Sequence, residues 1–344
     1  MDSKTPSVSG VLLVGSIPLP SNDDVFTNIP AALPGRLLSI PDGETGIRNL
    51  YTRWQVDRFP KEVVKPHLGG IEMPANHPGF TLESIKPTQY DTVAFDSYQR
   101  FLKFREQGII PAGVRFQVSI PPPLNCVLGH TRPEFHTQMD PLYEQRMIES
   151  VQSLVRGIPA EDLAVQLDLC FDVTALEYDR GRLTNDYFKP WFSPVMEGIV
   201  ERVQRVSALI PAEVPLGFHL CYGDLGHKHF IEPEDLGLLV ELANNIDRQI
   251  SPRPLNWLHM PVPKSRDDPA YFEPLKRLDV NKDARLYLGV VHANDEEGTR
   301  RRIKTALSVV PQFGVATECG MGRTPPEDLM SILEISKNVT EPVL

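Results

Sequence analysis

The sequence predicts an α/β fold, a closed parallel (β/α)8 TIM barrel in one domain spanning residues 1–344. Two observations predict it. About eight short apolar or β-branched runs alternate with amphipathic stretches, the signature of strands feeding crossover helices. Polar residues also collect where those runs end, and in this fold the active site sits at the C-terminal ends of the strands. An open, doubly wound sheet is the competing arrangement of the same alternation.

The strands are expected over Val11–Gly15, Arg36–Ile40, Val114–Ile120, Leu163–Leu169, Pro215–Cys221, Leu255–Met260, Arg285–Val291 and Phe313–Cys319. Each is a run of residues suited to a buried pleat, bounded by Gly, Pro or polar residues. The helices between them are expected over Pro141–Gly157, Pro190–Leu209, Pro233–Asn245 and Glu296–Val309. Residues 51–108 break the rhythm. They read as an elaborated connection after strand two, helical over Tyr90–Gln107, lying over the barrel mouth. No internal repeat, low-complexity tract or flexible linker is evident.

The length of 344 residues admits two domains or one large barrel, and 41% hydrophobic with 23% charged residues is ordinary for a globular core. A net charge of −10 argues against nucleic acid or an anionic membrane as partner, because both reward basic patches. The start, MDSKTPSVSG, has neither a basic nor an apolar signal region, and no run approaches the ~20 apolar residues that span a bilayer. Four cysteines do not make a disulfide framework in a chain this long, so a reducing, cytoplasmic setting is expected. Of the 33 prolines, many fall at strand ends and loops such as SIPPPLN (119–125).

His219 and Cys221, in FHLCYGDL (218–225), share one strand face because side chains alternate with a period of two. Cys319, in ATECGMGR (316–323), closes the last strand at the same barrel end. One imidazole and two thiolates make most of a tetrahedral zinc site, and His259, in NWLHMPVP, is best placed as the fourth ligand. A lone buried Cys is ordinarily a small hydrophobe; the shared location is what favours metal. His227 and His229, in GHKHF, are a second source of ligands, but a polar loop suggests that they face solvent. Cys126 and Cys170 lack a His-x-Cys context, and Cys170 is expected to face away from Asp168.

IPDGETGIR (40–48) sets Asp42, Glu44 and Arg48 around two glycines after strand two, where backbone can approach a ligand; solvated turn charges are the plainer alternative. Asp168 shares a face with Gln166 inside an apolar strand, so it should have a cationic partner, either a substrate ammonium or a Lys or Arg. Ser16, in VGSIPLP (14–20), adds a hydroxyl and free N–H groups. Ser16, Asp42, Glu44 and Asp168 are therefore candidate substrate-binding residues, with Asp168 and His292 the candidate catalytic pair and His292 handling a proton.

Together these pieces resemble the catalytic barrel of cobalamin-independent methionine synthase and its relatives, which share a barrel with uroporphyrinogen decarboxylase. VGSIPLP resembles that family's Gly-Ser-aromatic-Pro opening, IPDGE (40–44) its Gly-Glu segment, and QLD (166–168) its Gln-x-Asp strand. HLC (219–221) resembles its His-x-Cys zinc pair, KSRDD (264–268) its Ser-Arg-x-Asp run, and ECGMGR (318–323) its final zinc Cys-Gly. The motifs keep the family's order from near residue 14 to near residue 323. The resemblance implies that His219, Cys221 and Cys319 bind zinc, and that Ser16, Glu44 and Asp168 hold the amino-acid part of a thiol substrate. It further implies transfer of a methyl group from a folate co-substrate to a thiol activated at zinc.

The chain also departs from the pattern. The family's zinc Glu falls on His259 or its neighbours, the acidic residue after the strand-four Asp is Leu169, and the family's His after strand seven aligns with Asn294, two residues beyond His292. No counterpart of the separate N-terminal barrel of full-length methionine synthase is seen. Two thiolates and two neutral imidazoles would leave zinc with no net charge and a stronger Lewis acid, favouring activation of water or a carbonyl. The readings are thus a zinc-dependent methyl- or alkyltransferase other than methionine synthase itself, a zinc lyase or hydrolase, or a metal-free decarboxylase-like or binding barrel. Each takes a small-molecule substrate.

Overall fold

The computed structural model describes residues 6–226 and 228–344. Eight strands form one parallel sheet: β1 (Ser7–Val11), β2 (Ser39–Pro41), β3 (Arg115–Ile120), β4 (Leu163–Leu169), β5 (Leu216–Leu220), β6 (Trp257–Pro261), β7 (Arg285–Gly289) and β8 (Gln312–Val315). Each strand from β2 to β7 pairs with its successor in sequence, and β8 pairs with β1. The first and last strands being neighbours rejects the open doubly wound sheet. The fold is TIM-barrel-like.

The remaining seam, between β1 and β2, is joined by backbone bonds from Val11 N to Arg36 O and from Ile17 N to Gly43 O, both 2.8 Å. β1 lies four residues earlier than expected at its start. Residues 12–14 leave the regular ladder, and Leu12 and Val14 enter the barrel with Ala164, Trp257, Tyr287 and Ala316. Side chains compensate for the lost ladder: Gln117 Nε2 donates to Leu13 O (3.0 Å), Ser119 Oγ to Val14 O (3.1 Å) and Gln166 Nε2 to Val14 O (2.6 Å).

β4 shows how alternation builds the two layers. Leu163, Val165, Leu167 and Leu169 join the large apolar core under the helices, while Ala164 packs with the interior cluster and Gln166 and Asp168 follow on its face. The surrounding helices supply matching stripes. In the Val195–Ser207 helix, Val195, Ile199, Val203 and Val206 are buried at the spacing of one helical face. The Asn22–Ala32 helix is started by Ser21, whose Oγ accepts from Asp24 N at 3.2 Å.

Between β2 and β3 the chain makes four short 3₁₀ turns and the Tyr90–Glu106 helix. This connection sets Tyr51, Trp54 and Tyr90 against the carboxylates that follow β2 and end β4. Among the described residues, no helix is long and apolar enough to cross a membrane.

Candidate active site at the barrel mouth

His219 is the penultimate residue of β5, Cys221 directly follows the strand, and Cys319 lies in the loop after β8. Their ligand atoms all lie within 4.8 Å of one another. The two sulfurs are 3.5 Å apart, Gly223 N–H donates to Cys221 Sγ at 3.2 Å, and the Arg323 guanidinium lies 3.7 Å from Cys319 Sγ. The Cys170 thiol beside it, together with burial, pushes Cys221 well above the usual thiol range; its contact with Cys221, and then burial, do the same to Cys319. Thiols so placed ionise when a cation joins them.

The histidines fix one another's protonation. His259 Nε2 lies 2.9 Å from Thr317 O, a group that only accepts, so Nε2 carries the proton. Burial pushes His259 down to about 4, so the ring is neutral and Nδ1 is bare. That nitrogen lies 2.7 Å from His219 Nδ1, which must therefore donate. His219 is itself pushed well down, by burial first and then by His259 and Arg323. Its Nε2 is left as a lone pair, buried and without a hydrogen-bond partner among the described residues. A bare, orphaned imidazole nitrogen beside two thiols fits a zinc ion. His259, expected as a fourth ligand, has both nitrogens in hydrogen bonds, Nδ1 with His219 and Nε2 with Thr317 O, and the three-residue cluster does not include it.

A cavity of about 40 Å³ opens beside this group, lined by Ser16, Glu44, Tyr51, Asp168, Cys170 and Arg323 among others. Cys170, expected to face away from Asp168, shares this cavity with it. Residues 166, 168 and 170 are two apart, so alternation places all three on one face. Asp168 is only 6% exposed; its Oδ1 accepts from Gln166 Nε2 at 2.8 Å, and burial, then Glu44, raise its carboxyl well above the usual range. Burial pushes Glu44 up to about 7 against the opposing pull of Arg48.

Asp42, expected to bind substrate, is instead occupied by protein donors. It accepts from Glu44 N (2.9 Å), Arg48 (2.6 Å) and Ser97 Oγ (2.6 Å), and so holds the turn that presents Glu44. That turn uses Gly43 at φ 81° and Glu44 itself at φ 46°, left-handed backbone at a pocket-lining residue. Ser16 Oγ accepts from Gly322 N at 3.0 Å, and Ser16 O from Met321 N at 2.7 Å, which ties the Cys319 loop to the segment that follows β1. Behind the carboxylates a further cavity of about 30 Å³ is lined by Tyr51, Trp54, Tyr90 and Phe116 as well as Glu44 and Asp168.

On the other side of Cys319 and Gly320 lies a larger cleft of about 660 Å³. His292 faces this cleft and not Asp168, so the expected catalytic pair is divided between two cavities. His292 Nε2 lies 2.9 Å from Val262 O, and its Nδ1 3.6 Å from Glu318 Oε2. His229 Nε2 lies 3.6 Å from the other oxygen of Glu318; its side chain is 8% exposed, not solvated as expected. His227 lies outside the described residues. Sequence reasoning missed the Glu318 position, although alternation next to Cys319 points it to the opposite side. It also missed Tyr51 and Trp54, which no strand pattern marks.

No protein-family model matches the chain, and a search of curated proteins finds no match. Solved structures do match. One is a protein from Listeria monocytogenes provisionally named a vitamin-B12 independent methionine synthase, at 16% identity and TM-score 0.50, over 93% of this chain and 87% of that one. Another is a B12-independent methionine synthase from Shewanella sp. W3-18-1 in complex with selenomethionine, at 13% identity and TM-score 0.54, over 96% and 94%. The chain therefore shares its fold, along nearly its whole length, with barrels named as B12-independent methionine synthases.

Proposed function

We propose that this protein is a zinc-dependent transferase that moves a methyl or alkyl group onto the thiol of a small, amino-acid-like substrate. The observation that carries this reading is the orphaned Nε2 of His219 beside the Cys221 and Cys319 thiols. His219, Cys221 and Cys319 would hold the metal. Three protein donors are the number that catalytic zinc sites present, leaving a position for substrate. Zinc supplies the acidity that makes a thiolate available at neutral pH.

The remaining groups divide the work by cavity. Glu44 and Asp168 bind the substrate's cationic nitrogen, and Ser16 anchors the loop that carries Cys319. Tyr51 donates from its hydroxyl to Asp168 O at 2.7 Å and closes the cavity from the connection side. The large cleft takes the group donor, with His292 on its wall to handle the proton that the donor's leaving atom acquires. A sulfur–carbon bond forms as the donor's bond to the same carbon breaks, and the bonding pair stays on the donor. A methyl-folate is the donor that the sequence resemblance implies. That the Shewanella structure holds selenomethionine supports an amino-acid-like ligand for this cavity.

Metal analysis tests the first half. Zinc near one per chain is expected, with loss in Cys221→Ser and Cys319→Ser; zinc far below that, unchanged by Cys221→Ser, would sink the proposal. Incubation with a methyl-folate and a panel of thiols tests the second. Zinc-loaded protein that methylates no thiol, yet cleaves small esters or ketones, would be a lyase or hydrolase.

A further inference from the structure

We propose that Arg323 guards one of the protein's own metal thiolates: its N–H, aimed at Cys319 Sγ, blunts that sulfur as a nucleophile, so that the transferred group goes to the substrate thiol and not to Cys319. The proposal rests on the reading of His219, Cys221 and Cys319 as zinc ligands, and it names a residue that decides which sulfur reacts. Arg323 acts through Cys319 and is a positioning residue.

The need for such a residue follows from where Cys319 stands. It lines both the small cavity assigned to the substrate and the large cleft assigned to the group donor. Cys221 lines the small cavity but not the cleft, and it is 2% exposed. A donor seated in the cleft therefore faces the Cys319 sulfur as well as the substrate's. Attack by Cys319 would form a sulfur–carbon bond on the protein as the donor's bond to that carbon breaks, with the bonding pair staying on the donor. A thioether would then stand where the metal needs a thiolate.

A hydrogen-bond donor on a thiolate stabilises its charge, and thiolate nucleophilicity falls with basicity. Each protein sulfur has such a donor. Gly223 N–H reaches Cys221 Sγ at 3.2 Å, and Arg323 Nη2 lies 3.7 Å from Cys319 Sγ. The backbone donor is fixed by its turn, whereas the guanidinium has to be held. Its Nε and Nη2 lie 2.9 and 2.8 Å from Asp224 Oδ2, Nη1 donates to Asn49 O at 2.7 Å, and Nη2 lies 3.2 Å from Gly320 O. Those partners belong to the connections after β5, β2 and β8, so the guanidinium cannot leave the sulfur without leaving all three. The 3.5 Å contact between Cys221 and Cys319 supplies no donor once both sulfurs are ionised. Both N–H donors are committed to the protein's sulfurs, which leaves the substrate's thiolate the most basic of the three.

Alkylation of the zinc-loaded full chain by iodoacetamide, followed at each cysteine by peptide mass spectrometry, tests this. The reagent forms a sulfur–carbon bond as its carbon–iodine bond breaks and iodide leaves. Arg323→Met should raise the rate at Cys319 by about tenfold or more, the loss of one charge-assisted hydrogen bond. The rate at Cys221 should not change, because Gly223 still donates. Arg323→Lys also shortens the polar reach but keeps a cationic N–H donor, so its Cys319 rate should stay closer to that of the wild type. Equal acceleration in the Met and Lys variants would mean that Arg323 only blocks access, and would overturn the proposal. So would an unchanged Cys319 rate in Arg323→Met, or equal acceleration at both cysteines. Melting temperature and zinc content qualify each variant, and Arg323→Gln serves if Arg323→Met is unfolded or has lost its metal. Metal loss in both would make Arg323 a support of the site and not a guard, which also overturns the proposal. Wild-type protein without zinc sinks the functional reading and this inference with it, whereas zinc-loaded variants with unaltered Cys319 sink this inference alone.

Discussion

His219 and His259 show how a single carbonyl can set the chemistry of a ring two hydrogen bonds away. Thr317 O fixes the proton on His259 Nε2, His259 then accepts from His219 Nδ1, and the lone pair emerges at His219 Nε2. His259→Phe keeps most of the volume but removes the acceptor. It is expected to weaken zinc binding by about 10–100-fold in competition with a chelator, the usual effect of losing a group that orients a ligand. His259 acting as a direct ligand would instead give a loss as large as that of Cys221→Ser, and an unchanged affinity would refute the relay. The sequence could place His259 at the right strand end but not choose between ligand and support. That choice depends on which ring nitrogen meets which partner, and strand alternation is silent on it. Cys170 was legible by the same alternation that identified His219 and Cys221, and only its consistent application was missing.

The connection between β2 and β3 does more than cover the mouth, because it also terminates a helix. Lys65 Nζ donates to Leu128 O at 2.6 Å at the C-terminal end of the Pro123–His130 helix, where unpaired carbonyls and the negative end of the dipole favour a cation. The ammonium also lies 3.5 Å from the centre of the Tyr187 ring. Burial nevertheless pushes Lys65 down from 10.5 to about 7. Between those values the unfolded chain binds a proton that the folded lysine does not, so this group makes the fold more stable as pH rises from about 7 toward 10.5. The slope approaches about 1.4 kcal/mol per pH unit where the difference is a full proton. Urea denaturation at pH 7, 8 and 9 should show the wild type gaining on Lys65→Met across the series. A constant difference would mean that Lys65 is not depressed. None of this could be read from KPHLGG (65–70), since a lysine in a polar segment ordinarily points to water.

Across the whole molecule, the barrel was legible because strands and helices alternate over the full chain, whereas its closure was not. Seven of the eight junctions are parallel ladders, the β1–β8 one with a register shift between Val8 and Val11; the eighth, from β1 to β2, relies on isolated backbone bonds and on side chains crossing the interior. Gln117 is central to it. Its Oε1 accepts from Ser39 Oγ on β2 at 2.7 Å, and its Nε2 reaches Leu13 O at 3.0 Å and Val14 O at 3.3 Å beyond β1. One amide thus spans the seam from inside, two residues before Ser16 and the candidate pocket. Gln117→Leu has nearly the same volume, so the loss isolates hydrogen bonding from packing. Removing it leaves Ser39 without its acceptor and Leu13 O without this donor, both in buried residues. Each such group costs about 1–3 kcal/mol, so for the two a total loss of about 2–6 kcal/mol is expected. In denaturant the midpoint should fall while the slope stays constant, because the surface exposed on unfolding is unchanged. Zinc binding should weaken in the folded variant, since Val14–Ser16 frame the inner cavity and Ser16 holds the Cys319 loop. A loss of stability with zinc affinity intact would show that the seam closes the barrel without positioning the site.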